Sequence, residues 1–148
     1  MKWKNIPESY ENYVGFVYEI TEKNTGMKYI GLTRFWKDDK KKPGKYKTKD
    51  GKYIKDKNNK RILETRTTKK HVKKETNWRN YNGSNKILLE KIKQNPNNYT
   101  KRIIQCWHTI TQLKAYEAYL QLEAYFNGDW NTYYNEHIGF RLRIRKEK

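Results

Sequence analysis

The first chemical signal in this 148-residue sequence is an acid set among apolar positions. Glu117 falls in a helical pattern whose inward positions are Leu113, Leu120 and Ala124, at i, i+7 and i+11. A carboxylate on that stripe must be paired, protonated or bound to a cation, because burying it alone is expensive. A structural glutamate satisfied by an arginine would meet the same requirement. Far upstream, Phe16-Val17-Tyr18 and Tyr29-Ile30-Gly31 are two aromatic-bearing triplets separated by ten residues. That spacing puts two phenols on neighbouring strands. A free phenol, with a pKa near ~10, is a poor base at neutral pH unless a nearby cation favours its ionised form. Taken alone, the two triplets describe a plain cross-strand tyrosine pair equally well.

The elements that must position these groups can be read in order. Residues 13–21, YVGFVYEIT, alternate with Val14, Phe16, Tyr18 and Ile20 on one face. Turn chemistry at Asn24 and Gly26 follows, and MKYIGL over 27–32 returns as the second strand of a hairpin. NWRNYNGSN, 77–85, reads as a turn into a helix with Ser84 as N-cap, stopped by Asn95-Pro96. KRIIQCW, 101–107, is a third strand candidate. Thr109-Ile110-Thr111-Gln112 fits a capping box opening the longest helix, which ends at Asn127-Gly128. A terminal strand or coil is expected around 133–144. The order β-β, insert, α-β-α predicts a single α+β domain over 1–148.

Charge marks the rest of the organisation. The formal net charge is +18, yet residues 1–36 and 75–140 each carry only +1. The excess lies in the insert 37–74, with 17 basic against 5 acidic residues, and in the tail 141–148, RLRIRKEK, at +4. The insert contains Pro43, Gly44 and Gly51 and lacks apolar periodicity, which predicts a long functional loop, with GKYIKDK as an optional short strand. Such a field concentrates polyanions and predicts steeply salt-dependent binding. Nucleic acid is the first candidate partner and an anionic membrane surface the second. Lysine outnumbers arginine in the insert, which suits phosphate tracking more than bidentate base reading.

Composition excludes other classes. No run approaches the ~18 apolar residues of a membrane span. The start, MKWKNIPESY, has no signal-peptide core, so the expectation is a chain acting in the cytosol where it is made. The single cysteine, Cys106, rules out an intrachain disulfide framework and a Cys-rich zinc cage, leaving the role of a small buried residue. The five tryptophans, Trp3, Trp36, Trp78, Trp107 and Trp130, can stack on bases, but most are expected in the core or at its boundary.

The two triplets resemble those of the GIY-YIG nuclease family, which occupy the first two strands with about this gap. The second triplet, Tyr29-Ile30-Gly31, is intact. The first is degenerate, with Phe16 for Gly and Val17 for Ile, although Gly15 lies just before it. NGSNKILLEKI, 82–92, resembles the turn and helix of phage members, and Tyr116-Glu117-Ala118 and Tyr134-Asn135 follow in family order. The resemblance implies a three-stranded antiparallel central sheet flanked by helices, with Tyr18 and Tyr29 as the motif tyrosines, Glu117 the metal ligand and Asn135 a supporting amide.

One position departs from the family. Where members commonly place an Arg, eight residues after the second triplet's Gly, this chain has Asp39. Arg34 is the first substitute, Arg79 the second, and Arg61 and Arg66 follow. His71 in KKHVKK could replace a histidine of some members, but a solvated side chain accounts for it as well.

The family activity implied is divalent-metal-dependent hydrolysis of DNA phosphodiesters. Tyr18 would be general base, Tyr29 would orient water or phosphate, and Arg34 would offset phosphate charge. Oxygen ligands and phosphate imply Mg²⁺, with Mn²⁺ as a substitute. The expected substrate is double-stranded DNA in a bacterial or phage-infected cytosol. Candidate nucleic-acid contacts are Arg79, His71, Tyr81, Asn82 and Ser84 beside the site. Lys41, Lys42, Lys45, Lys69 and Lys70 of the insert and Arg143 and Arg145 of the tail would add to them. One site per chain nicks one strand, so a double-strand break needs a dimer or two visits. The alternatives are a non-catalytic basic binding module with the same fold, or a nuclease acting on RNA.

Overall fold

In the computed structural model of the chain, residues 1–40, 55, 57–60 and 71–139 are described. In chain order the main elements are β1 (Trp3–Lys4), β2 (Gly15–Glu22), β3 (Lys28–Arg34), β4 (Trp36–Lys40), β5 (His71–Glu75), α1 (Lys86–Gln94), β6 (Tyr99–Trp107) and α2 (Ile110–Phe126). They form the mixed α+β fold that the sequence pattern predicts. Contacts divide the chain into two compact units, Met1–Trp36 with Glu75–Lys148, and Lys37–Lys74.

In the first unit, one sheet runs β1-β6-β2-β3. The antiparallel trio β6-β2-β3 is the expected centre. β1 adds a short parallel edge, Trp3 against Lys101 and Lys4 against Arg102. Two residues carry no periodicity, so this strand leaves no sequence signal. What fixes it is the Trp3 ring, whose Nε1 donates to the Trp78 carbonyl at 3.0 Å.

Strand alternation sorts the core onto two faces. Phe16, Tyr18 and Ile20 of β2 join Tyr29, Trp3, Trp78, Leu88 and Ile92 on the α1 side. Val17 and Ile30 meet Leu113 on the α2 side. Val14 also packs on the α2 side, not with Phe16 as the simple alternation predicts, because the regular strand begins only at Gly15. Consecutive residues Val17 and Tyr18 pair with Gln105 and Ile103, so β6 bulges beside Tyr18. Bulges of this kind re-aim side chains.

The helix ends follow local chemistry with one correction. Thr109 and Gln112 form the predicted capping box of α2. Gly128 takes φ +81°, the left-handed conformation that ends a helix readily only at glycine. For α1 the cap is Asn85, whose side chain accepts from Leu88 N at 3.0 Å, not Ser84. Ser84 is drawn away by tertiary structure, since its Oγ lies 3.2 Å from the Tyr29 hydroxyl. The third strand starts at Tyr99, two residues earlier than predicted.

In place of a wholly irregular insert, β4 and β5 pair as a two-stranded sheet. Backbone pairing needs no apolar alternation, which is why WKDDK and HVKKE gave no strand signal. Most of GKYIKDK lies outside the described residues, as do Arg61, Arg66, Lys41, Lys42, Lys45, Lys69, Lys70, Arg143 and Arg145. Of the terminal strand or coil expected over 133–144, the described part up to Gly139 holds one parallel bridge, between Lys28 and Tyr133, and 140–144 lie outside the described residues. Among the described residues no helix is long and apolar enough to cross a membrane.

Candidate active site

β3 is an edge strand of the sheet, and two adjoining cavities of about 590 and 410 Å³ open beside it. Tyr29, Ser84, Glu117 and Gly139 line both. Tyr18, Leu32, Tyr81 and Lys114 complete the smaller, while Asn135, Gln121, Lys86 and His137 are among those completing the larger. The acid and the two phenols singled out in the sequence therefore share one cleft.

Glycines let the phenols converge. Tyr18 and Tyr29 are buried, with ring centres 6.2 Å apart. A Cβ at Gly31, cross-strand from Tyr18, would lie 2.5 Å from the Tyr18 hydroxyl and 2.9 Å from the Tyr29 ring. Gly83 takes φ +94° and brings the Tyr81–Ser84 turn down on the same rings. The second-triplet glycine is therefore a space requirement set by both phenols.

A buried lysine fixes that turn. Lys101 Nζ donates to the carbonyls of Arg79 at 3.0 Å and Tyr81 at 3.1 Å, and to Asn82 Oδ1 at 3.0 Å. It also lies 4.4 Å from the Trp3 ring centre. Burial pulls its pKa down to about 8, and the three oxygen acceptors favour the charged form. Lys101 was not singled out in the sequence, where it only opens the strand candidate KRIIQCW. Asn82, expected at the phosphate, spends its side-chain oxygen on this lysine.

Glu117 projects from α2 toward the β3 edge. Among the described residues it has no hydrogen-bond or ion-pair partner, and burial lifts its pKa from 4.5 to about 7, with Lys114 opposing. One turn on, Gln121 is buried and, among the described residues, its Oε1 has no hydrogen-bond partner. Burial, then Tyr29, Tyr81 and Glu117, push the Tyr18 phenol well above its ordinary pKa. Among the described residues, the side chains that shift Tyr18 are thus phenols and a carboxylate.

Asn135, expected as a supporting amide, lines the larger cavity and bonds the backbone of β3. Its Oδ1 accepts from Ile30 N at 2.9 Å and its Nδ2 donates to Ile30 O at 2.7 Å. The amide thus mimics a paired strand residue and secures the edge that carries Tyr29.

The basic candidates separate clearly. Arg34 ends β3 opposite Gly15 and lines neither cavity. By strand parity it shares the side of Ile30, not that of Tyr29. Arg79 donates to the Tyr10 hydroxyl at 2.9 Å and lies 4.3 Å from the Trp78 ring centre, also outside the cleft. His71 lies in β5 of the Lys37–Lys74 unit. Lys114 and Lys86, which do line the cleft, were not singled out by sequence. Helical spacing gives the signal for Lys114, since it stands three residues before Glu117. Trp3 and Trp78 are core residues and therefore not free to stack on bases. Burial pushes the Cys106 thiol up to about 11, which leaves it inert.

A divalent cation fits this donor set in one way only. Among the described residues no cluster of three His, Cys, Asp or Glu side chains is present, so a closed protein cage is absent there. One unpaired carboxylate beside an unsatisfied amide oxygen suits a hard cation that keeps most of its water and binds through phosphate.

The family described as "Putative endonuclease segE, GIY-YIG domain" matches residues 2–138 of the chain. No curated protein and no solved structure matches it.

Proposed function

The chain belongs to the GIY-YIG family, and from that premise we propose that it is a Mg²⁺-dependent endonuclease hydrolysing phosphodiester bonds in double-stranded DNA. The observation that carries this reading is the Glu117 carboxylate, half-buried and unpaired among the described residues, facing the cavity that holds Tyr18 and Tyr29. A carboxylate kept in that state costs stability, which is reasonable if it serves a cation. Glu117 would hold the ion, with Mn²⁺ able to substitute. When bound, the ion supplies charge neutralisation and makes nearby water and leaving oxygens more acidic.

The remaining roles belong to the chain's own side chains. Tyr29, fixed by the Ser84 contact of 3.2 Å, orients water or a phosphate oxygen. Tyr18 aligns the attacking water and takes its proton when ionised. Its surroundings hold the phenol protonated in the free chain, so proton acceptance is reserved for the loaded site. Asn135 keeps the β3 edge straight through both of its bonds to Ile30. The insert 37–74, at +12, tracks DNA phosphates without reading bases. One such site nicks one strand, and a double-strand break takes a second copy or a second visit.

Supercoiled plasmid incubated with Mg²⁺ tests the proposal. The wild type should convert it to nicked circles, and Glu117→Ala should not. If both leave the plasmid supercoiled while retaining it in a gel, the chain is a basic binding module. Cleavage of RNA alone would move the substrate class.

A further inference from the structure

This inference rests on the nuclease reading and supplies what that reading lacks, a positive side chain at the phosphate. Each described cation near the cleft can be placed by what already occupies it. Arg34 lines neither cavity, and Arg79 is committed to Tyr10 and Trp78. Lys101 is committed to three oxygens of the turn. Lys86 lines the larger cavity at the start of α1, away from Tyr18. Lys114 alone among the described cations lines the cavity that contains both phenols and Glu117.

Its position suits the task. Lys114 and Glu117 lie three residues apart on α2 and project side by side. No ion pair joins them, yet the ammonium acts on Glu117 by lowering its pKa. Lys114 is exposed, so its four-carbon stem can follow a ligand. We propose that the Lys114 ammonium contacts the non-bridging oxygens of the scissile phosphate, taking the part expected of Arg34. In the step, water oxygen bonds to phosphorus, the bond to the leaving sugar oxygen breaks, water's proton goes to the ionised Tyr18 phenol, and the leaving oxygen takes up a proton from solvent. The Lys114 ammonium offsets the charge that gathers on the phosphoryl oxygens.

Two measurements on the full chain test this. In single-turnover cleavage with Mg²⁺, Lys114→Met should lower the rate by about 100-fold, while Lys114→Arg should recover to within about tenfold of wild type because the charge returns. The loss at Arg34→Met should be clearly the smaller one. Separately, binding of a short duplex without divalent metal, followed against salt, should show the log–log slope reduced by about 0.9 in Lys114→Met, the value for one phosphate contact. If the wild type cleaves and Lys114→Met changes neither rate nor slope, the assignment is overturned while the nuclease reading stands. If Arg34→Met shows the larger rate loss, the assignment is likewise overturned. If the wild type fails to cleave but the slope still falls, the phosphate contact survives and the hydrolytic reading does not.

Discussion

Replacing Glu117 by glutamine should make the protein more stable, and only above a defined pH. Burial lifts this carboxyl from 4.5 to about 7. Below pH 4.5 the group is protonated whether the chain is folded or not, and no penalty exists. Between those values the unfolded chain releases the proton while the folded chain keeps it, so stability falls as pH rises. Above pH 7 the penalty is complete. At about 1.4 kcal/mol per tenfold change in proton affinity, the ceiling is about 3 kcal/mol. Residual exposure of the side chain brings the expectation to about 1–3 kcal/mol. Glutamine has the same shape and no charge to desolvate. At pH 8 the variant should therefore melt roughly 3–10 °C above wild type, and the two should coincide near pH 4.5.

Thermal unfolding of both proteins in parallel from pH 4.5 to 8.5 is the assay, first with chelator. Other titrating groups shift both curves equally, so the difference isolates Glu117. Millimolar Mg²⁺ should then raise the wild-type melting point at pH 8 and leave the variant unmoved, because only the native carboxylate gains a partner. Parallel curves, or a variant less stable than wild type at pH 8, would mean that Glu117 is a structurally satisfied acid and would remove the reason to place a cation there.

Three further substitutions probe the cleft walls. Tyr18→Phe should lower single-turnover cleavage by about 10²–10⁴-fold with gel-shift affinity retained; a parallel loss of affinity would make Tyr18 a structural residue. Gly31→Ala drives a methyl group into the Tyr18 hydroxyl at 2.5 Å, so it should cost about 1–3 kcal/mol in urea unfolding and suppress cleavage. An alanine variant as active as wild type would show that the phenols need not meet there. Lys101→Met strands two backbone carbonyls and the Asn82 oxygen, and about 3 kcal/mol of stability should go with them. Unchanged urea midpoints would contradict the clamp.

What the sequence could disclose depended on how local each signal was. The hairpin was readable because alternation and turn chemistry lie within 20 contiguous residues. The α2 capping box was readable because its two partners are three residues apart. Ser84 and Asn85 are both good caps, and only the distant Tyr29 decides between them. Lys101 reads as one more surface lysine in KRIIQCW until the 79–82 turn closes over it. Arg34 was selected because it follows the second triplet closely, yet it ends β3 opposite Gly15 and lines neither cavity. Lys114, which lines the smaller cavity, comes from α2, some eighty residues beyond the hairpin in sequence.

The same packing explains why the first triplet can lose its usual letters while the second cannot. Phe16 is wholly buried and packs edge-on against Trp3 and Trp78, so its size is used in the core. Val17 points to the opposite face and meets Ile30 and Leu113, where any β-branched residue fills the same role. Close approach of the two strands is provided one residue earlier, at Gly15, where a Cβ would collide with the Thr33 carbonyl. The hydroxyl of Tyr18 is thus the part of the first triplet with no packing substitute. Gly31 has no such freedom, because the space a side chain would need there is already occupied by both phenol rings. Degeneracy of Phe16 and Val17 therefore carries no penalty for the site, whereas a change at Gly31 or Tyr18 reaches it directly.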